Sequence, residues 1–478
     1  MLRSVRIYGL RGFTTEQTLR VAEPNGTTGS GLTYLTGPNN SGKSTIIECF
    51  STYLWQQLKP TFHEGMRNKK TNEVEINFEH QGRTDTIKSL RRGSSQTETS
   101  YPAGTVLPYV IPSRRYFAPY FGRQPVNFNR ATFLMRFGDQ NVAQQRGPTL
   151  NLFEVRLFDI DADENKRKAF NEIIERIIPR GVNWTIDQME NNQYVLRFLG
   201  NEKAHSAEGV GEGIASLFTL VAALYDSANG DIIVIDEPEL SLHPTFQKRL
   251  SAVISDFAAT RQIIVSTHSP YMIEEKAINN GATLCRTWER QDGTEIKQLN
   301  NAAREAWRRL TNRANLNNPH RFGLNAKEVF FLDDGVIVGE SQEDVVLLPA
   351  VFEAVDATVN AEFFGWGAGG AENIRHVCSI LDSLGFLKVA AIFDNDKRHE
   401  MEQVRAAFPN YFVTCIPADD VRSKPAAQAR EAKRGLLRND RTIDPEYEGA
   451  TMQLVGELVT FLRPEELGDG AQGHAANG

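Results

Sequence analysis

The sequence predicts an α/β protein of two successive domains, and three observations carry that prediction. A glycine-rich loop joins an apolar strand to a helix around Gly42, a second apolar strand ends in Asp236-Glu237, and the last third of the chain alternates short strands with helices. A length of 478 residues exceeds what one core organises and suits two or three domains. Hydrophobic residues at 40% and charged residues at 24% exclude a disordered or collagen-like chain. No apolar run reaches the roughly 18 residues needed to span a bilayer. The opening MLRSVRIYGLRGF scatters arginines through its apolar positions, unlike a secretory leader. A cytoplasmic chain with no membrane partner is expected. Cys49, Cys285, Cys378 and Cys415 lie far apart with no CxxC, so reduced thiols are expected rather than a zinc ribbon or disulfide scaffold. A net charge of −7 excludes a general basic coat but is compatible with a local basic groove for nucleic acid.

The first element is the apolar strand Leu32 to Leu35, running into Gly37-Pro-Asn-Asn-Ser-Gly42-Lys43-Ser44, with a helix pattern from Thr45. This is GxxxxGK[ST] in strand–loop–helix context. Its glycines let backbone N–H groups approach phosphates at a helix N-terminus. Gly37, Asn39, Asn40, Gly42, Lys43, Ser44 and Thr45 are therefore the candidate ATP contacts. Lys43 would lie between the β- and γ-phosphates, and the Ser44 hydroxyl would ligate Mg²⁺.

The second element is DIIVIDEPELSLHP, four apolar residues of the kind buried on both faces of a parallel sheet. Asp236 at its end would hold Mg²⁺ through water, and Glu237 would polarise the attacking water. A third strand, QIIVSTHSP, ends at His268, placed to sense or stabilise the γ-phosphate. Together these predict a P-loop ATPase.

DEPELSLHP and STHSP resemble the D-loop and switch histidine of ATP-binding-cassette ATPases, particularly the SMC-like branch. That resemblance implies a signature loop from a second subunit, placing helix N-terminal amides against the γ-phosphate. The candidate is SAEGVGEGIASLFTLVAAL, with Gly211 and Gly213, although it lacks the usual serine-glycine-glycine wording. A loop acting in trans requires at least a homodimer. Between Phe62 and Lys203, VEINFEH alternates as a strand, and SSQTETS reads as a loop. VLPYVIPSRRYFAPYF reads as a buried strand, with Arg114 and Arg115 either at the surface or against phosphate. LFDIDADENKRKAFNEIIERII reads as one amphipathic helix of an insertion over about 100–205, used for dimer contacts.

A polar stretch from Asn300 to Arg321 reads as the connection between domains. After it, KEVFFLDDGVIVGESQEDVVLLPAVFEAV contains a strand, an acidic turn and a helix. AEFFGWGAGG is a strand closing in glycines, and AENIRHVCSILDSLG a helix. LKVAAIFDNDKRHE and YFVTCIPADD supply two more strands. Such alternation predicts a parallel sheet with chemistry at its strand C-termini. Glu340 ends the first strand, and Asp344, four residues on, shares one helical face with it. Asp394 and Asp396 end another strand and point the same way at period two. Four carboxylates at one sheet edge repel unless cations lie among them, and all-oxygen ligands suit Mg²⁺ or Mn²⁺. Two such ions about 4 Å apart can cleave a phosphodiester.

A strand-end glutamate with a later DxD resembles a toprim domain. An SMC-like ATPase followed by toprim resembles the OLD (overcoming lysogenization defect) family of ATP-dependent nucleases, kin to the Gabija nuclease subunit and to retron-associated effectors. The likeness runs from the first strand to about Leu462. It implies an ABC-type P-loop ATPase domain with a helical insertion (1–320), a toprim α/β domain (321–465) and a disordered tail (466–478). Counting back from Leu348-Pro349 places Glu340 and Asp344 on the family's two acids. The chain departs by writing Gly339-Glu340-Ser341, which keeps Glu343 open as a substitute ligand. In ADDVRSKPAAQAREAKRGLL the resemblance implies that Lys424 stabilises the pentavalent phosphate and Asp420 ligates or orients a metal; a solvated loop is the alternative.

The implied activity is an ATP-regulated, metal-dependent DNA endonuclease or nickase acting on double-stranded DNA in antiphage defence. One ion would lie at the ATP site and two at the acidic site, and a defence partner protein or retron ribonucleoprotein could act as sensor. Two rivals remain: an ATPase switch whose second domain binds nucleic acid or a partner without cutting, and an RNase acting on tRNA, since two-metal chemistry does not choose the sugar. Topoisomerase and primase are disfavoured by the missing gate tyrosine domain and zinc ribbon.

Overall fold

The strand Leu32–Thr36 is buried at every position because it is flanked on both sides. Gln262–Ser266 and Thr283–Arg290 run parallel to it, one on each edge. The full six-stranded order is Gly293–Gln298, Thr283–Arg290, Leu32–Thr36, Gln262–Ser266, Ile232–Asp236 and Tyr109–Ile111. The phosphate-loop strand is therefore central, and the strand ending in Asp236 lies two places from it. The computed structural model describes residues 1–54, 61–100, 108–113, 153–188, 194–199, 204–206, 212–311, 324–424, 433–438 and 440–463. Among them no helix is long and apolar enough to cross a membrane. The chain divides into two compact units, one of residues 1–36 and 40–296, the other of 37–39 and 297–478.

In the first unit a five-stranded antiparallel sheet, ordered Gln17–Arg20, Leu2–Tyr8, Glu75–His80, Arg83–Ser89 and Thr97–Ser100, packs with the six-stranded sheet. The Lys43–Leu54 helix contributes Ile46, Phe50 and Tyr53 to the shared core, where Tyr53 stacks on Phe78 at 4.3 Å. Gln262 is a polar clamp inside this core. Its carboxamide donates to Leu2 O at 2.7 Å and Ala22 O at 3.0 Å and accepts from Leu2 N at 2.9 Å. A fully buried amide left unsatisfied costs about 1–3 kcal/mol, so those three bonds also define where the first strand docks.

Four local expectations are corrected. The SSQTETS segment is not all loop, because Thr97–Ser100 pairs antiparallel with Arg83–Ser89 as the edge of its sheet. Tyr109–Ile111 belongs to the six-stranded sheet, parallel to Ile232–Asp236, so the insertion starts after it. The single amphipathic helix is two, Phe153–Asp161 and Glu164–Ile177. Asp163 breaks it by accepting from the N–H groups of Asn165 and Lys166 as an N-cap. Finally, Asn301–Thr311 is a helix of the second unit rather than connecting chain. It buries Ala303, Ala306, Trp307 and Leu310, and Trp307 stacks on Phe330. The boundary therefore falls at 296/297, not at 320/321. Helical spacing of those four apolar residues within a polar stretch was the overlooked signal. Arg114, Arg115, Gly211 and the tail 466–478 lie outside the described residues.

The second unit is built on four parallel strands ordered Glu362–Phe363, Val336–Val338, Val389–Phe393 and Phe412–Cys415. Helices Gln342–Ala354, Ala371–Ser383 and Arg398–Ala407 alternate with them in sequence. Parallel pairing of consecutive strand–helix units brings the ends of Val336–Val338 and Val389–Phe393 side by side. Asp394 follows its strand directly, and Glu340 follows its strand after Gly339.

Candidate functional site

At the nucleotide loop, Gly37, Asn40 and Gly42 all take positive φ, at 127°, 60° and 96°. A side chain at Gly42 would place its Cβ 2.7 Å from Thr294 Cγ2, so only glycine lets the loop close against the 293–298 strand. Ser41 Oγ lies 2.7 Å from Thr287 Oγ1, pinning the other side of the loop to the neighbouring strand. Asn39, Asn40 and Ser44 are exposed, whereas Lys43 and Thr45 are buried. Burial lowers the Lys43 pKa to about 8, against the opposing charges of Glu237, Asp236 and Glu239. Lys43 thus sits among three carboxylates, the arrangement of a cation that a phosphate would complete.

Those carboxylates come from the end of Ile232–Asp236 and the loop that follows it. Asp236 is buried, and Glu237 holds φ at +46° while its N–H donates to Ser266 O at 2.8 Å. A non-glycine residue at this φ costs about 1–3 kcal/mol, strain of the kind found at functional positions. His268 Nε2 lies 3.7 Å from Glu237 Oε1. Burial, helped by Lys43, pushes the His268 pKa down to about 4, so the imidazole is neutral and can accept or donate but carries no charge. The sequence reading overlooked Glu239. It is buried, accepts the His268 N–H at 2.6 Å through Oε1, and so sets where the histidine sits. Its two-residue spacing from Glu237 was the available signal. Ser269 donates to Gln247 at 2.6 Å, and these side chains with Leu240 and Tyr271 line a depression of about 330 Å³. Gly213 is buried, and a Cβ there would collide with the carbonyl of Ser241 in the same chain. The helix bearing it is thereby held against the loop that follows Glu237.

The geometry of this unit matches a known domain class. A family model for an AAA domain matches residues 4–196. A second AAA-domain model, whose description names an AbiEii toxin of a type IV TA system, matches residues 133–274. The first unit is an AAA-type ATPase domain. Three solved SMC head domains are similar to it in outline. One, bound to the C-winged helix domain of ScpA, has TM-score 0.40 at 12% identity and covers 63% of this chain and 98% of its own. The Thermotoga maritima head gives 0.34 at 16% identity over 62% and 97%. A head with extended coiled coil, bound to a Pyrococcus furiosus ScpA domain, gives 0.39 at 12% identity over 62% and 96%. The Septu protein PtuA of Bacillus thuringiensis is 44% identical over 48 residues, 10% of this chain and 12% of that protein's length.

The second unit carries the acidic site. Glu340 and Asp344 are buried, and Asp394 is partly so. Glu340 Oε1 accepts the Asp394 N–H at 3.0 Å, coupling the two strand ends directly. Burial, with repulsion from Asp344 and Asp396, raises the Glu340 pKa to about 7. Burial, with Glu340, Asp344 and Asp420, raises Asp394 to about 8. Asp344 is likewise raised by burial and by Asp420.

Two placements differ from expectation. Glu340 precedes the helix rather than sharing a face of it with Asp344. Asp344 is instead the N3 partner of a capping box, its Oδ2 accepting from Ser341 N at 2.8 Å. Asp396 is not on a strand but in a 3₁₀ turn over Asn395–Lys397. Against its burial, Lys433 at 2.8 Å and Lys397 at 3.4 Å hold its pKa below the ordinary range.

Glu343 is engaged too, with Arg422 at 2.8 Å and Lys424 at 2.6 Å, and is therefore a cation partner. Lys424 also pairs with buried Asp420 at 2.7 Å. Lys433 was not legible in the sequence, since only the Lys424↔Lys433 bridge brings it to the acids. Among the described residues no group of three His, Cys, Asp or Glu side chains is spaced to hold one ion. The donor set of Glu340, Asp344, Asp394 and Asp420 is all oxygen, and burial together with neighbouring carboxylates holds Glu340 and Asp394 near neutral pKa. That chemistry fits a hard divalent cation.

Proposed function

We propose that this chain is an ATP-regulated, divalent-metal-dependent nuclease that nicks or cuts DNA, with the second unit acting as a toprim-like domain of the OLD kind. One observation carries the reading: buried Glu340 and half-buried Asp394, beside adjacent parallel strand ends and joined by a hydrogen bond, both have pKa values raised by burial and by each other's neighbouring carboxylates. Structural ion pairs lower carboxylate pKa values; sites built to receive a cation raise them. Bound Mg²⁺ or Mn²⁺ would activate water and stabilise the leaving oxygen at this edge. Glu340, Asp344 and Asp394 would hold it, Asp420 would orient Lys424, and Lys424 would face the scissile phosphate's charge. At the ATPase site Lys43 would bind the phosphates, Ser44 and Asp236 would hold the ion, and Glu237 would orient the attacking water. Neutral His268 would donate to the γ-phosphate. Nucleotide-dependent pairing of two chains, each offering the Gly211–Gly213 loop to the other, would link ATP to cutting. The Septu and toxin–antitoxin names among the similar proteins support a role in antiphage defence with a partner protein.

A second reading, in which the acidic unit binds nucleic acid without cutting, is favoured by the absence of a ready-made three-ligand group among the described residues. Supercoiled plasmid with Mg²⁺ or Mn²⁺, with and without ATP, decides between them. Nicking by the wild type that disappears in Asp394→Ala establishes the nuclease. A wild type that leaves both plasmid and labelled tRNA intact while retaining binding selects the second reading.

A further inference from the structure

The segment Phe364-Gly-Trp-Gly-Ala-Gly-Gly370 precedes a helix and resembles, by composition, a loop made to wrap an anion. Five of its seven backbone amides are already committed. Phe364 N donates to Ile337 O at 2.8 Å and Gly367 N to Phe364 O at 3.0 Å. Ala368 N donates to Gly339 O at 2.9 Å, and Gly369 N and Gly370 N both donate to Glu340 O at 2.8 Å. The loop is therefore a bracket on the backbone that carries Glu340, not a phosphate cradle. Gly367 takes φ +84°, and a Cβ there would lie 2.7–2.8 Å from the backbone of Ser341. With no room inward at Gly367, the bracket turns the residue before it outward. That residue is Trp366, 38% exposed and the only exposed aromatic side chain among the described residues.

We propose that Trp366 is a stacking platform for an unpaired nucleobase, and that the acidic unit engages single-stranded or locally unpaired nucleic acid. The proposal rests on the nuclease reading above and adds the substrate class. An indole offers a flat apolar face at small conformational cost, and bases of any identity stack on it. A base inside a duplex already has both faces covered by its neighbours, so one fixed indole can reach only a base that has left the stack. The position fits a strand in transit across the cutting edge. Trp366 lies two residues from the first amide bonded to the Gly339–Glu340 backbone, beside the strand end whose Glu340 carboxylate accepts the Asp394 N–H. Four bonds hold the bracket to the strand end, so the platform is placed before any strand arrives.

The test uses the full chain with EDTA present, so that no strand is cut. A fluorescein-labelled single-stranded DNA of about 15 nucleotides is titrated by anisotropy against a blunt duplex of the same sequence. Wild type, Trp366→Phe, Trp366→Leu and Trp366→Ala are compared, with thermal melts confirming that each folds. Trp184, Trp288 and Trp307 are buried and Trp55 lies outside the described residues, so the strand-induced quenching that Trp366→Phe removes is the report on position 366. The expected result is tighter binding of the single strand than of the duplex and near-wild-type affinity in Trp366→Phe. Trp366→Leu and Trp366→Ala should lose about tenfold. Quenching should be present in the wild type and lost in Trp366→Phe even though that variant binds. Equal affinity in all four proteins, retention by leucine, or a preference for duplex overturns the proposal. If plasmid nicking by the wild type persists in that case, the stacking role falls alone. If the wild type neither binds nor cuts any nucleic acid, both readings fall together.

Discussion

The two acidic strand ends of this molecule face opposite electrostatic situations. At the ATPase site, Asp236, Glu237 and Glu239 surround Lys43, and the cation built into the loop offsets their charge. In the second unit, Glu340, Asp344 and Asp394 face one another. The nearest cations are drawn off, Lys424 to Glu343 and Asp420, and Lys433 to Asp396. Burial then pushes Lys43 down to about 8 but Glu340 and Asp394 up to about 7 and 8. The lesson is that carboxylates at parallel strand ends have a loop lysine among them in one unit, whereas in the other the lysines pair with flanking acids.

The largest test of that contrast is Asp394→Ala, expected to lower nicking at least about 10³-fold while leaving ATP hydrolysis within about twofold. Plasmid gels and phosphate release measure the two arms, and a parallel loss of ATPase would break the separation. Lys43→Ala is expected to lower ATP hydrolysis by about 10²- to 10³-fold, because no other group on the loop supplies its charge to the phosphates. Nucleotide-free melting of that variant should stay close to wild type.

A smaller effect concerns stability against pH. Asp394 has a folded pKa of about 8 against an ordinary 3.8, so the folded chain binds this proton more tightly than the unfolded chain. Stability from it is complete below the unfolded value and lost as pH rises towards 8. Asp394→Asn should therefore stabilise the metal-free protein above pH 8 by about 2 kcal/mol, after allowance for its partial exposure, and give no gain near pH 4. Mg²⁺ or Mn²⁺ should raise the wild-type melting temperature at pH 8 and leave the variant's almost unchanged. The smallest effect falls on nucleotide affinity. Lys43 loses its proton around pH 8, so ATP binding should weaken by less than about tenfold between pH 7 and 9, as read by calorimetry. A pH-independent affinity would show that the three neighbouring carboxylates hold it charged.

Legibility followed the kind of signal. Gly42-Lys43-Ser44, the Asp236-Glu237 strand end and His268 were readable because each motif has a fixed spacing and a strand beside it. The four parallel strands of the second unit were readable from their apolar runs, and so were Glu340 and Asp394 at their ends. Asp396 was misjudged as a strand residue because period two continues on paper after the backbone has turned into a 3₁₀ helix. Asn301–Thr311 was mistaken for connecting chain, since six charged or polar positions obscure four that are buried. Glu239, Lys433 and the outward Trp366 depend on partners far along the chain, and no local pattern marks those.

The sequence by itself determined the elements and the identity of the chemistry: which strands are buried on both faces, where the phosphate loop turns, and which acids end a strand. Those follow from side-chain periodicity and from the steric demands of glycine, which act over a few residues. Tertiary structure alone decided the charge state of each site. That depends on which lysine folds back to which carboxylate, and Lys424 with Glu343, Lys433 with Asp396 and Lys43 with Glu237 are all pairings across long loops. Coulomb energies and desolvation are set by distance in space and by burial, neither of which is written in the order of residues.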